Sequence, residues 1–217
     1  MKMLTVLASI ALAAPAMAAD QAGTTPYLTL YQVLSPVGAI NKYDRLVAIE
    51  RIESKMPGVK PEDIRIVIHA KQGAIPVPVA ADGEVSFPVN DALREENPPV
   101  ETNQPKGSLA LIVNVALRGA DRLRVPWSEI EAGLEQVKAF YAATRGAAAP
   151  AISGIEVHFG PGSAAMLTIE GASERLLMSD PEGRIIVTRD MAEESDAPVL
   201  VFSRAPAFVV PYADGKP

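Results

Sequence analysis

His69 and His158 are the only histidines in a chain without cysteine, so they alone are poised to exchange protons near neutral pH. Each stands at or beside the end of a β-like stretch, Ile64–His69 and Ile155–Phe159, where a side chain can reach a cleft at a sheet rim. Catalysis would require a nucleophile and an orienting acid beside the imidazole. Metal binding would require further ligands, and neither histidine has one at a diagnostic spacing such as H-x-x-x-H. The sequence also lacks a G-x-S-x-G elbow, an H-E-x-x-H pair and a P-loop. A hydrogen-bonded histidine at a sheet edge is the plainer expectation for both. No metal and no cofactor is expected.

Three other segments carry groups that chemistry uses. Gly160-Pro161-Gly162-Ser163-Ala164-Ala165 fits the loose G-x-G-x-x-A form that brings backbone donors against a pyrophosphate. Pro161 removes one donor, and a single β-α-β unit could be drawn at most, so a Gly/Pro turn is expected instead. Asp180-Pro181-Glu182-Gly183 offers two carboxylates, too few oxygen ligands for calcium, and reads as a β-turn. The segment Arg94 to Gly107 holds Pro98, Pro99 and Pro105 and presents Asn103, Gln104 and Lys106. It reads as a long, stiffened loop, and these three polar residues are the expected binding positions.

The elements that must position these groups are mostly strands. Ile64–His69 alternates, and Ile75–Val79 carries Pro76 and Pro78, which confine it to a sheet edge with both prolines on the unpaired side. Asp82-Gly83 predicts a type I′ hairpin turn into Val85–Val89. Leu109–Ala116 is the most apolar run and the expected central strand. Tyr27–Tyr31 suggests a short strand, and the mixed stretch Tyr43–Met56 tilts to strand through its β-branched residues. Further short strands are expected at 155–159, 165–169, 174–178, 184–188, 199–203 and 208–211. One helix stands out, because Trp127, Ile130, Leu134, Val137 and Tyr141 fall on one face. Ser128 with Glu131 predicts a capping box and Gly146 a stop, giving a helix over about 129–145. The expected fold is mainly β, a sandwich or small barrel of antiparallel sheets with one amphipathic helix, built either as one larger β fold or as two related β units.

The relation between the units comes from two similar stretches. Residues 82–98 and 182–198 share Gly, Ala and Pro one hundred positions apart, at Gly83/Gly183, Ala92/Ala192 and Pro98/Pro198. Both run from a turn through an apolar strand and an acidic patch to Pro. His69 and His158 do not follow that offset, and an extra hairpin at Glu170-Gly171 would absorb the difference. The expected division is a leader at 1–18, a first β unit at 19–125, a helix and linker at 126–150, and a second β unit at 151–217.

The leader is read from Lys2, the short apolar run Met3–Ala14, Pro15 and the Ala16-Met17-Ala18 cleavage pattern. Cleavage after Ala18 removes one base and no acid, taking the net charge from −6 to −7. An acidic chain without a basic run is not expected to bind nucleic acid. No later segment is long and apolar enough for a membrane helix. Absence of Cys excludes thiolate zinc, iron–sulfur clusters, thiol nucleophiles and disulfides. The sequence therefore leads to an exported envelope protein, periplasmic or secreted, that binds or assembles a macromolecular partner without catalysis. A hydrolase or metal-dependent enzyme built on His69 or His158 is the alternative.

Overall fold

A computed structural model describes residues 22–194 and 196–213; the expected leader, 1–18, lies outside them. The fold is mainly β. In chain order the first half holds β1 (Ala22–Pro26), α1 (Tyr27–Leu34), a 3₁₀ segment (Ser35–Lys42), β2 (Leu46–Ser54), β3 (Ile66–Ala70) and β4 (Gly73–Val77). It continues with α2 (Asp91–Glu96), β5 (Pro99–Pro105) and β6 (Leu109–Leu117). The second half holds β7 (Arg124–Pro126), α3 (Trp127–Arg145), β8 (Ile152–His158), β9 (Met166–Glu170) and β10 (Arg175–Met178). It ends with β11 (Arg184–Thr188), α4 (Arg189–Glu193), β12 (Val199–Phe202) and β13 (Phe208–Ala213).

The two halves repeat one plan. One sheet runs β1-β5-β3-β4 and another β7-β12-β9-β10, the same order in equivalent strands. Facing them are the β2-β6 ribbon and the β11-β8-β13 sheet. In the first half the place of β11 is marked by the isolated Arg51–Glu84 bridge and by Val85 N–H donating to Glu50 O at 2.9 Å. All pairings are antiparallel. The backbone details recur as well. Tyr27 N–H donates to Pro98 O at 2.9 Å, and Trp127 N–H to Pro198 O at 2.8 Å. Asn97 and Ala197 are the two non-glycine residues at positive φ among those described, at 49° and 47°.

The layers close over two apolar cores, one under each half, with the β2–β6 ribbon contributing to both. Tyr27, Leu34, Ile52, Ile68 and Val100 belong to the first core; Trp127, Leu134, Phe159, Ile169 and Leu200 belong to the second. Burial of each large side chain is worth about 1.5–3 kcal/mol. Tyr27 and Trp127 anchor equivalent helices but satisfy their polar atoms differently. The Tyr27 hydroxyl donates to Pro88 O at 2.6 Å, whereas the buried Trp127 indole N–H has no partner among the described residues.

Several expectations are corrected. Tyr27–Tyr31 is helical, because Tyr27, Leu30 and Leu34 lie three and four apart and Pro26 fixes the entry. The helix of the second half begins at Trp127, with Pro126 at its cap position and no side-chain cap, so Ser128 is inside the first turn rather than at its cap. Gly146 ends it at φ 56°. The Asp82-Gly83 turn is not type I′, since only Gly83 has positive φ. Gly83 N–H returns to Ala80 O, and Ala80 N–H bonds Glu84 O, a turn closed by a left-handed glycine. Asp180–Arg184 repeats it. Leu109–Ala116 pairs with β2 alone and is not central to a sheet. The Arg94–Gly107 segment is not one long loop: Arg94–Glu96 end α2, and Pro99–Pro105 form β5, which lies between β1 and β3. The hairpin near Glu170 is no addition either, since β9-β10 matches β3-β4.

Candidate functional site

The two histidines sit in different halves and do not come together in one sheet. His69, on β3, faces β5 and its Nε2 lies 2.9 Å from Glu101 Oε2, with both side chains largely exposed. His158 ends β8, the middle strand of its sheet, between Arg184 and Phe208 in register. Its Nε2 lies 3.0 Å from Glu156 Oε1, two residues back on the same face of the strand. Its ring stacks on Phe208 at 4.3 Å, and the Arg51 guanidinium lies 4.6 Å from the Phe208 centroid. By topology Arg51 and His158 are equivalent positions, since Ile52 N–H meets Gly83 O and Phe159 N–H meets Gly183 O, each at 2.8 Å. The pair therefore meets on a single ring where β6 and β13, themselves equivalent, touch.

Burial pushes the His158 imidazole below its ordinary range. Glu156 and Asp180 oppose this, while Arg184 and Arg51 reinforce it. The neutral ring is thus the form the fold favours. A folded value below the unfolded one of about 6.5 gives stability that is present above that pH and lost as pH falls through the depressed value. We expect the urea midpoint of the native chain to fall between pH 7 and pH 5 more steeply than that of His158→Gln. Equal slopes would show that His158 carries none of the acid sensitivity.

The other candidates make the following contacts. Asn103 Oδ1 accepts from Arg65 N–H at 2.9 Å and its Nδ2 donates to Asp63 O at 2.8 Å, so Asn103 holds the 61–65 segment against β5. Gln104 reaches Asn103 Oδ1 at 3.4 Å. The Gly160–Ser163 stretch connects β8 of one sheet to β9 of another, with Gly160 and Gly162 both at positive φ, and a strand rather than a helix follows it. Asp180 accepts from the backbone and guanidinium of Arg184 at 2.7 and 3.0 Å. Among the described residues, no three His, Asp or Glu side chains gather as a metal site.

Lys106 is placed differently. It stands in a Pro105–Ser108 turn, closed by Ser108 N–H to Pro105 O with Gly107 at φ 81°. It makes no ion pair among the described residues. Beside it, Lys55 donates to Gly107 O at 3.2 Å. Lys106 lines a cavity of ≈ 180 Å³ between the layers of the first half, together with Thr25, Ile52, Val100, Thr102 and Leu111.

Comparison of the halves explains the cavity. Register aligns Thr25 with Val125, Val100 with Leu200 and Thr102 with Phe202; the Gly83 and Gly183 bonds align Ile52 with Phe159. In the second half Phe159 and Phe202 are buried and lie edge to face, centroids 6.1 Å apart. The first half carries the smaller side chain at both positions, although it carries the larger one at Phe87 against Val187 and at Leu111 against Ala207, and the cavity lies among them. Thr102 and Phe202 stand one hundred positions apart, but Ile52 and Phe159 do not follow that offset, so the sequence alone does not bring the two positions together. No protein-family profile, curated protein or solved structure matches this chain.

Proposed function

We propose that this chain is a non-catalytic binding protein of the cell envelope, exported by its leader, which captures a macromolecular partner at the β5–β6 end of its first half. The observation that carries the reading is the cavity beside Lys106, present in one half and filled by Phe159 and Phe202 in the other. Two halves built to one plan do not need different packing for stability alone. A hollow apolar site costs stability that a filled one retains, so its persistence is best accounted for by an occupant. The histidine-based enzyme is the weaker reading. Each imidazole is engaged by one glutamate, and His158 is further stacked on Phe208.

The test is affinity capture from cross-linked envelope extract with the chain from residue 19 onward. Lys106→Ala and Thr102→Phe are expected to reduce partner recovery at least fivefold, with thermal midpoints held near the native value. Recovery that is unchanged in both variants would remove the cavity from the function. Asn103 is left intact, because its bonds to Arg65 and Asp63 would confuse lost capture with lost structure.

A further inference from the structure

We infer that the first-half cavity seats the C-terminal residue of a partner polypeptide, its large apolar side chain between the layers and its terminal carboxylate at Lys106. This rests on the binding reading above and names the chemistry of the partner. Three features argue for it.

Size comes first. At ≈ 180 Å³ the cavity lies below the roughly 300–1,000 Å³ that encloses a whole small ligand, and suits one bulky side chain. The walls come next. Ile52, Val100 and Leu111 are apolar, while Thr25 and Thr102 stand where the second half has Val125 and Phe202. The side chain that fills this space does for the first half what Phe202 does for the second.

Charge decides the third. Lys106 lines the cavity itself, and Lys55 reaches the same turn, on a chain whose net charge is −6. An anion paired with Lys106 would lie within a few bonds of an apolar group seated in the cavity. An internal acidic residue would not meet this, since the next Cα along an extended peptide is about 3.8 Å away and its side chain points to the opposite face. A C-terminal residue carries both groups on one Cα. Capture of a terminal carboxylate together with an apolar side chain is also an established way of recognising peptide ends.

The experiment uses the chain from residue 19 and a set of N-acetylated hexapeptides, read by calorimetry at low and high salt. A peptide ending in Leu or Phe is expected to bind at least tenfold more tightly than its C-terminal amide, and the gap should narrow as salt rises. Lys106→Ala should bring acid and amide to the same affinity. Thr102→Phe should abolish binding of both, and Lys106→Ala keeps the test alive should that variant not fold. Equal binding of acid and amide, or competition by octanoate but not by the peptides, would overturn the inference. Failure of the broader reading looks different, as native chain that recovers no envelope partner. Partner recovery that depends on Thr102 and Lys106 yet is not competed by the Leu-ended peptide sinks the C-terminal assignment alone.

Discussion

Gly183→Ala is expected to destabilise the protein by about 3–5 kcal/mol, at the upper end of what single substitutions do. Two costs add. The residue sits at φ 75°, where a side chain costs about 1–2 kcal/mol. An added Cβ would also fall 1.9 Å from Gly160 O, a backbone atom that yields only if the β8–β9 connection moves. That shift would pull on Phe159, whose N–H donates to Gly183 O and whose ring fills the second core. The equivalent Gly83→Ala should cost less, about 1–3 kcal/mol, because its Cβ would meet Ile52 O at 2.8 Å. Gly119→Ala isolates the conformational cost, since nothing lies within 4 Å at φ 74°. Urea midpoints should rank the three variants Gly183, Gly83, Gly119 from most to least damaged. A Gly183 variant no worse than the Gly119 one would mean that the approach to Gly160 is not a constraint on the fold.

These glycines show how far the sequence could be read. The Asp-Gly and Glu-Gly turns were legible because glycine answers to a backbone requirement that no other residue meets cheaply. Their turn type was not, since the closing geometry depends on which residues pair beyond the turn. The helix Trp127–Arg145 was legible from five apolar residues on one face. Its counterpart Tyr27–Leu34 was not. Eight residues are too few to separate a helical from an alternating pattern, and Pro36 breaks the run soon after.

Strand β5 was hidden for another reason. Its prolines stand at the two ends, Pro99 and Pro105, and Val100 to Thr102 pair with both neighbours; the polar residues around them raise no strand signal. Asn103 therefore looked like a loop side chain offered to a partner, when it bonds the neighbouring segment. The cavity left still less trace. At Ile52 and Thr102 the side chains are smaller than their counterparts one half away, and only the paired register says which counterpart to compare.

Leu34→Ala is expected to lower stability by about 2–5 kcal/mol, and Leu134→Ala by a similar amount, since both side chains are fully buried on equivalent helices. The more informative expectation concerns cooperativity. Leu34 belongs to the first core and Leu134 to the second, yet the β2–β6 ribbon serves both. Nine residue pairs join its strands, from Leu46–Leu117 at one end to Ser54–Leu109 at the other. Leu46, Val115 and Leu117 pack in the second core, while Ile52, Leu109 and Leu111 pack in or against the first. Neither core can release its end of the ribbon without straining the ladder that holds the other. The chain should accordingly unfold in one step. Trp127, the sole tryptophan, reports on the second core, whereas far-ultraviolet dichroism reports on both. In Leu34→Ala the Trp127 fluorescence midpoint should fall together with the dichroism midpoint, although the substitution lies in the other half. If fluorescence held at the native midpoint while dichroism split into two transitions, the halves would be energetically separate and the ribbon only a tether between them.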